Sequence, residues 1–308
     1  GISRFWSQRV NWSAEKEAYV MLGVTGPNEY ENNINNNWYT NYAAKWCLEY
    51  AAQKVNEIKS NYPGDFKRIQ LRTGLKTLES DQWKQIASNL YLPFDASLNI
   101  YLQQDNFLDK EILPTSVIDP AERPINQHWS WDRILRSPYI KQADVLQGFY
   151  FFEADFSKEE LSRHFDFYEP LTVHESSLSP SIHAILAARL GRTDKAYEMY
   201  LQTSRLDLDD VNCEVDDGLH ITSMPGTWLS VVEGFGGMRV IDNRLHLNPQ
   251  LPKKWKAYSF NINFRNQIVQ VRVTHKKTHC KLYGTKPIEV MIHGNGVWLE
   301  PQKSLIIN

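Results

Sequence analysis

The sequence predicts a mainly α-helical protein that ends in a small antiparallel β domain. Up to about Gly237, apolar residues recur at helical spacing between long polar and aromatic loops. After Gly236-Gly237 the pattern changes to strict alternation of apolar and polar residues, which is typical of strands with one buried face. We therefore predict two domains, a helical domain over residues 1–237 and a β domain over residues 238–308.

The clearest helix is predicted for residues 41–60. Tyr42, Trp46 and Tyr50 recur there at helical spacing, and the run Asn61-Tyr-Pro-Gly64 ends it. The N-terminal residues 1–9 also have helical character. Further helices are predicted at 79–89, 144–152, 158–168, 181–190, 193–204 and 227–235.

The β domain is predicted from a hairpin. Residues 258–264 alternate apolar and polar side chains, a turn follows at 265–267, and residues 269–274 alternate again. Shorter strands are predicted at 239–245, 279–283, 288–293 and 304–307. We expect this domain to be structural.

Bulk properties exclude several classes of function. The net charge of -2 favours neither nucleic acid nor an anionic membrane surface, and no apolar run has the length of a membrane span. No P-loop, dinucleotide fingerprint or zinc-protease motif is present. The three cysteines fit no disulfide or metal spacing, so we expect reduced thiols and a cytoplasmic protein. The acidic residues within 207–217 have the wrong spacing for an EF-hand and are predicted to form a solvated loop.

The most informative segment for function is the loop 24–42. It holds seven asparagines and four large rings within fifteen residues, around Glu29 in a Gly-Pro turn. Flat apolar faces and many amides suit a sugar, although asparagine-rich segments are commonly just turns. We expect Tyr30 and Trp38 to bury Glu29 as a candidate general acid, and Glu31 to point to solvent.

The motif Gly26-Pro-Asn-Glu-Tyr30, followed by Asn36-Asn-Trp-Tyr-Thr-Asn41, resembles the catalytic-acid loop of the inverting disaccharide phosphorylases of glycoside hydrolase family 65. The resemblance implies the second half of an (α/α)6 barrel followed by the C-terminal antiparallel β domain. It also implies that the other half of the barrel is missing. We therefore expect a shortened polypeptide or a complementing polypeptide, and a homodimer.

The resemblance further implies cleavage of a glucose disaccharide such as maltose by inorganic phosphate, which is a co-substrate, with no metal or organic cofactor. Glu29 would be the acid, and Lys141 and Gln142 would bind glucose. The phosphate contacts implied by two hydroxyl-rich segments, 174–181 and 218–227, are Ser176, Ser177, His220, Gly226 and Thr227. From the residues alone, both segments are better explained as helix caps, and the Lys-Gln pair as solvated surface.

Three alternatives stay open at this point. Linkage preference leaves trehalose, kojibiose or nigerose as the substrate. An inverting α-glucosidase would need a second carboxylate about 6.5–9.5 Å from the first, for which Glu175 or Glu214 are candidates. The third alternative is a non-catalytic glucan-binding subunit. We expect His174, Glu175 and Ser179 to orient neighbouring side chains in the phosphorylase reading.

Overall fold

The computed structural model describes residues 1–76 and 78–307, and the side chain of Asp217 lies outside the described part. Two compact units divide at Val173 and His174. None of the helices in the described part combines the length and the apolar character that a membrane span requires. The predicted boundary at 237/238 falls between the last helical residue, Phe235, and the first strand residue, Arg239, but it does not coincide with the division between the units. The predicted domain assignment therefore stays a prediction.

The first unit is built from helices and two small hairpins. Its helices are α1 (Ile2–Arg9), α2 (Trp38–Asn61), α3 (Pro63–Thr73), α4 (Glu79–Ser88), α5 (Ile125–His128), α6 (Trp131–Arg136), α7 (Val145–Phe151) and α8 (Lys158–Tyr168). Its hairpins pair β1 (Asn11–Ser13) with β2 (Ala18–Val20), and β3 (Phe94–Asp95) with β4 (Ile100–Tyr101). The sequence patterns predicted most of the longer helices, but neither α3 nor the hairpins.

Helix α2 buries a different face from the one that its aromatic residues mark. The residues that it buries are Trp38, Asn41, Ala44, Leu48 and Ala52. Trp46 and Tyr50 instead lie on an exposed face, stacked on each other with ring centroids 5.0 Å apart. Small alanines on the buried face allow the neighbouring helix α4 to approach closely, whereas the large rings would hold it away.

An aromatic core lies beneath the N-terminus of α2. The Trp38 ring packs 5.0 Å from Tyr101 and 5.7 Å from Phe149. His164 completes this core, where its Nε2 accepts from the Tyr101 N–H at 2.8 Å and its Nδ1 lies 2.7 Å from the Glu160 carbonyl oxygen. Burial lowers the pKa of His164 to about 4, so the ring is neutral at pH 7 and Nδ1 carries the proton.

The second unit begins with three helices, α9 (Ser179–Arg189), α10 (Thr193–Ser204) and α11 (Ser223–Leu229). Helix α9 is buried over nearly its whole surface, and it ends before Gly191, whose φ of +80° suits a residue without a side chain. The helix predicted at 227–235 starts earlier, at Ser223, and continues beyond Leu229 as π-helix over Ser230–Phe235.

Two four-stranded sheets form the β domain. Its strands are β5 (Arg239–Ile241), β6 (Arg244–Leu247), β7 (Ala257–Phe264), β8 (Gln267–Thr274), β9 (Thr278–Tyr283), β10 (Ile288–Ile292), β11 (Asn295–Leu299) and β12 (Ser304–Ile307). The strand orders are β11-β10-β6-β5 and β12-β9-β8-β7. All neighbours are antiparallel except β6 and β10, which pair in parallel.

The predicted β7–β8 hairpin is confirmed, with Phe264 paired to Gln267. The single strand predicted at 239–245 is wrong, because the chain reverses between β5 and β6. Asp242 and Asn243 both have positive φ, 49° and 61°, which is the backbone geometry of a tight two-residue hairpin turn. The turn was missed because the Asp-Asn pair lies inside an otherwise strand-like run.

Candidate active site

The loop that carries Glu29 is held by the segment just before α7. Lys141 donates twice, from its ammonium to the Glu29 carboxylate at 2.8 Å and from its backbone N–H to the Asn28 side-chain oxygen at 3.0 Å. The Gln142 amide donates to the Pro27 carbonyl oxygen at 2.8 Å. The structure therefore places the predicted acid and both predicted glucose-binding residues together.

Glu29 is not buried as expected. Its side chain is 56% exposed, whereas Tyr30 and Trp38 are almost fully buried in separate clusters below the loop. The prediction that these two rings bury Glu29 is wrong. A loop residue between two buried neighbours presents its own side chain outward, and here the partner that the carboxylate finds is the Lys141 ammonium.

The prediction for Glu31 is wrong in the opposite sense, because this residue is buried. It was predicted to point to solvent, but its side chain is 7% exposed and forms an ion pair with Lys110. The same ammonium donates to the Ser137 carbonyl oxygen at 3.0 Å. Burial lowers the pKa of Lys110 to about 8. Glu31 therefore serves to fix the middle of the loop, and its carboxylate is not accessible to a sugar.

Most of the loop amides also bond to the protein. Asn36 accepts from the Met21 N–H at 2.9 Å and donates to Asp105 at 2.7 Å. Asn33 and Asn36 have φ of 53° and 54°, the left-handed geometry that asparagine tolerates. The turn interpretation is thus correct for much of the asparagine run, and the amides build the loop that presents Glu29.

Asp144 is a part of this site that the sequence did not single out. It is buried, and it accepts from the Asn28 N–H at 3.0 Å and from the Asn37 amide at 2.9 and 3.1 Å. Burial raises the pKa of Asp144 to about 7, although these hydrogen bonds oppose the rise. An aspartate just before a helix looks like an ordinary N-cap, and nothing local reveals partners more than a hundred positions away.

In the second unit, the two predicted phosphate segments meet. The hydroxyls of Ser177 and Thr222 lie 2.5 Å apart, and Ser177 is half-buried. Ser176 is nearly buried and its hydroxyl accepts from the Leu178 N–H at 3.2 Å. His174 contacts the Ser179 hydroxyl at 2.8 Å, as expected for residues that orient neighbours.

His220 lies between two carboxylates. Asp207 accepts from its ring Nδ1 at 2.6 Å and from its backbone N–H at 2.9 Å, while Glu214 lies 3.5 Å from Nε2. Desolvation acts against the Asp207 carboxylate, but the hydrogen bonds from His220 hold the pKa of Asp207 below its ordinary value. The solvated-loop prediction is therefore wrong for Asp207, which fixes the orientation of the imidazole.

Gly226 and Thr227 lie inside α11. The Gly226 N–H donates to the Thr222 carbonyl oxygen at 3.1 Å, and a Cβ on Gly226 would come within 2.8 Å of the Ser181 Cβ. The Thr227 hydroxyl donates to the Ser223 carbonyl oxygen at 2.8 Å. Both residues have packing and helix roles here, and phosphate contact by either of them stays a prediction.

Comparison with known proteins accounts for both units. Residues 1–229 match the glycosyl hydrolase family 65 central catalytic domain. The chain belongs to glycosyl hydrolase family 65. Residues 238–299 match the family 65 C-terminal domain, and the observed helices and β domain agree with part of an (α/α) barrel followed by that domain.

Several family 65 relatives are named disaccharide phosphorylases. The chain is 50% identical to the maltose phosphorylase of Bacillus subtilis and 41% identical to the α,α-trehalose phosphorylase of Thermoanaerobacter brockii, over 97% of its length in each case. It is 34% identical over 99% of its length to the kojibiose phosphorylase of Halothermothrix orenii. The chain spans only 39%, 39% and 40% of these relatives.

A solved structure supports the same family 65 assignment. It comes from the human microbiome, and its description assigns it provisionally as a kojibiose phosphorylase. The TM-score is 0.89 at 32% identity, and the match covers 99% of this chain and 42% of the other. The helical arrangement and the β domain of this chain are therefore family features.

Proposed function

We propose that this chain carries the general acid and the phosphate-binding residues of an inverting disaccharide phosphorylase. The preferred reaction is maltose plus phosphate to β-D-glucose 1-phosphate plus glucose. The higher identity to the relative named maltose phosphorylase, 50% against 41% and 34%, supports maltose over trehalose and kojibiose.

Glu29 is the proposed acid. Cleavage of a glycosidic bond requires a proton on the departing oxygen while positive charge develops at the anomeric carbon. The Glu29 carboxyl is exposed between the buried residues Asn28 and Tyr30 of a hydrogen-bonded loop, which suits a group that must reach a substrate oxygen. Glu31, the nearest competitor, is committed to Lys110.

The observation that carries the phosphorylase proposal is the meeting of Ser177 and Thr222, which joins the serine-rich segment to the segment of His220. Hydroxyl and imidazole donors suit an anion that is itself the nucleophile. Phosphate held there would attack the anomeric carbon on the face opposite to the departing oxygen, so configuration inverts in one step. The proposal rests on Ser176, Ser177 and His220.

Lys141 and Gln142 are the proposed glucose contacts. The Lys141 ammonium already lies beside Glu29, so a sugar hydroxyl bound at Glu29 would meet both groups. Gln142 has a second role, because its amide nitrogen supports the loop at Pro27. Among the described residues no group hydrogen-bonds its side-chain oxygen, but this oxygen is buried, so a glucose contact through it requires the side chain to turn outward.

The decisive experiment incubates the complete gene product with maltose, trehalose, kojibiose and nigerose, each with and without phosphate. We expect cleavage only with phosphate, fastest on maltose, and a first-formed β anomer of glucose 1-phosphate by NMR. Glucose release that is independent of phosphate would instead establish an α-glucosidase. Maltose binding without any cleavage would establish a glucan-binding subunit.

Three further parts of the proposal concern the whole protein. We propose that further polypeptide completes the barrel, since the chain spans 39% of its first relatives, and that the assembly is a homodimer, as the family resemblance implies. Three free cysteines in the described chain support a cytoplasmic location.

The intact mass of the natural gene product tests whether further polypeptide completes the barrel, and light scattering tests whether the assembly is a homodimer. Full activity after dialysis against a chelator would support phosphate as the sole additional requirement.

A further inference from the structure

We propose that Asp144 is a positioning residue that holds Glu29 in the geometry needed for proton transfer. The inference rests on the proposed role of Glu29 as the acid. Asp144 is 2% exposed and so cannot touch a substrate itself. Its effect must pass through the loop that it binds.

Three hydrogen-bond contacts from donors converge on the two carboxylate oxygens of Asp144. The Asn28 backbone N–H reaches one oxygen at 3.0 Å, and the Asn37 amide nitrogen lies 2.9 Å and 3.1 Å from the pair. The loop backbone also packs directly on this group, because a Cβ on Gly26 would lie 2.6 Å from an Asp144 oxygen and 2.4 Å from the Asn37 nitrogen. Asp144 thus joins the start of the loop to its end.

Asp144 fixes the position of Glu29 indirectly, through its hydrogen bond to Asn28. The Asn28 side-chain oxygen accepts from the backbone N–H of Tyr30 at 3.2 Å and of Lys141 at 3.0 Å. The residues on both sides of Glu29 are therefore fixed by hydrogen bonds that depend on the position of Asn28, while the Glu29 side chain itself remains exposed. Loss of the carboxylate acceptor would leave the Asn28 N–H or the Asn37 amide without an acceptor in a buried place.

Asp144→Asn keeps the size of the side chain and replaces one acceptor oxygen by an NH2 group that faces other donors. Because a displacement of about 1 Å in a reacting group can cost about a hundredfold in rate, we expect kcat to fall about a hundredfold, with KM for maltose and phosphate changed less than about threefold. Hydrogen exchange of the peptide covering 24–37 should become faster.

Asn37→Asp combined with Asp144→Asn is the matched rescue. The swap restores one carboxylate and one amide with their positions exchanged, and aspartate at 37 can still accept from the Thr40 N–H and hydroxyl, as Asn37 does at 2.9 and 2.7 Å. It loses the donation from the Asn37 amide to the Gln103 carbonyl oxygen at 3.2 Å, so we expect a partial rescue. We expect kcat of the swap variant to be at least about tenfold higher than kcat of Asp144→Asn. Asn37→Asp alone sets two carboxylates against each other and should be at least as damaging as Asp144→Asn.

The experiment uses the complete gene product, with the folded fraction measured by near-ultraviolet circular dichroism. The inference would be overturned if Asp144→Asn kept the wild-type kcat and the wild-type rate of hydrogen exchange. It would also be overturned if a folded swap variant showed no recovery of kcat. If Asp144→Asn does not fold, the swap variant alone decides. If the wild type shows no phosphorolysis, the proposed function fails, and faster exchange in Asp144→Asn with recovery in the swap still decides whether Asp144 holds the loop.

Discussion

Two glutamates in the same loop should respond in opposite ways to the same substitution. Glu29→Gln and Glu31→Gln each remove one negative charge and change almost no volume. Glu29 is half-exposed beside Lys141, whereas Glu31 and its partner Lys110 are buried, with side chains 7% and 14% exposed. We expect Glu29→Gln to remove activity and keep stability, and Glu31→Gln to do the reverse.

The magnitudes follow from burial. An exposed ion pair contributes about 0–1 kcal/mol, so Glu29→Gln should change the free energy of unfolding by less than about 1 kcal/mol. Loss of a general acid costs about 10²–10⁴-fold in rate. Breaking a buried pair costs about 3–5 kcal/mol, because Lys110 is left as an uncompensated buried charge. We therefore expect Glu31→Gln to lose about that much stability and to keep kcat within about tenfold once folded.

The cost in Glu31→Gln should depend on pH. Burial lowers the pKa of Lys110 from 10.5 to about 8, which at about 1.36 kcal/mol per pKa unit amounts to about 3 kcal/mol against the charged form. The unfolded chain binds the proton more tightly than the folded one, so this cost is fully present below pH 8 and is relieved as the pH rises toward 10.5. This relief applies to the wild type, whose stability should rise between pH 8 and pH 10.5. In Glu31→Gln the ammonium has lost its negative partner, so its pKa lies lower still and the relief begins at a lower pH. The stability deficit of the variant should therefore shrink as the pH rises toward 8 and stay constant above it.

Urea denaturation of the complete gene product at pH 7 and pH 10, with kcat for phosphorolysis at pH 7, tests this contrast. Glu31→Gln combined with Lys110→Met is the control, since it removes both charges and should regain most of the lost stability. A deficit below about 1 kcal/mol for Glu31→Gln, or full activity of Glu29→Gln, would show that the two roles are assigned wrongly.

Gly148→Ala should lower stability by about 1–3 kcal/mol, because the alanine Cβ would lie 2.4 Å from the fully buried Trp38 ring. This cost exceeds the helix preference of alanine over glycine, and an unchanged melting temperature in thermal unfolding would contradict it. His164→Gln should lose less stability on acidification than the wild type. The His164 pKa of about 4 lies below the unfolded value of 6.5, so the wild type loses about 3 kcal/mol of stability as the pH falls from 6.5 to 4. Equal slopes of unfolding free energy against pH for the two proteins would refute this prediction. Glu214→Gln should lower KM for phosphate about threefold or more by removing a negative charge 3.5 Å from His220 Nε2, whereas abolished activity would identify Glu214 as a hydrolytic base.

Sequence patterns were reliable where a structure depends on neighbours along the chain. The helices α8 and α10 were predicted to the residue, and the β7–β8 hairpin with its alternating burial was also correct. Both patterns arise from local geometry, the helical repeat and the pleat of a strand. The β5–β6 strand was misassigned because a two-residue turn leaves almost no gap in the alternation.

Burial and charge partners required the tertiary structure. Which of Glu29 and Glu31 faces outward depends on where Lys110 and Lys141 are brought, and neither lysine is near the loop in sequence. The partnership of Asp207 with His220 likewise lies within a stretch that has no distinguishing local pattern.

The sequence by itself determined the family of this protein, its mainly helical fold with a terminal β domain, and the loop on which Glu29 lies. Tertiary structure alone decided that the loop is held by Asp144, 116 positions away from Asn28. The physical reason is that periodicity reports which face of an element is apolar, whereas a buried carboxylate is stable only with donors that folding brings from distant parts of the chain.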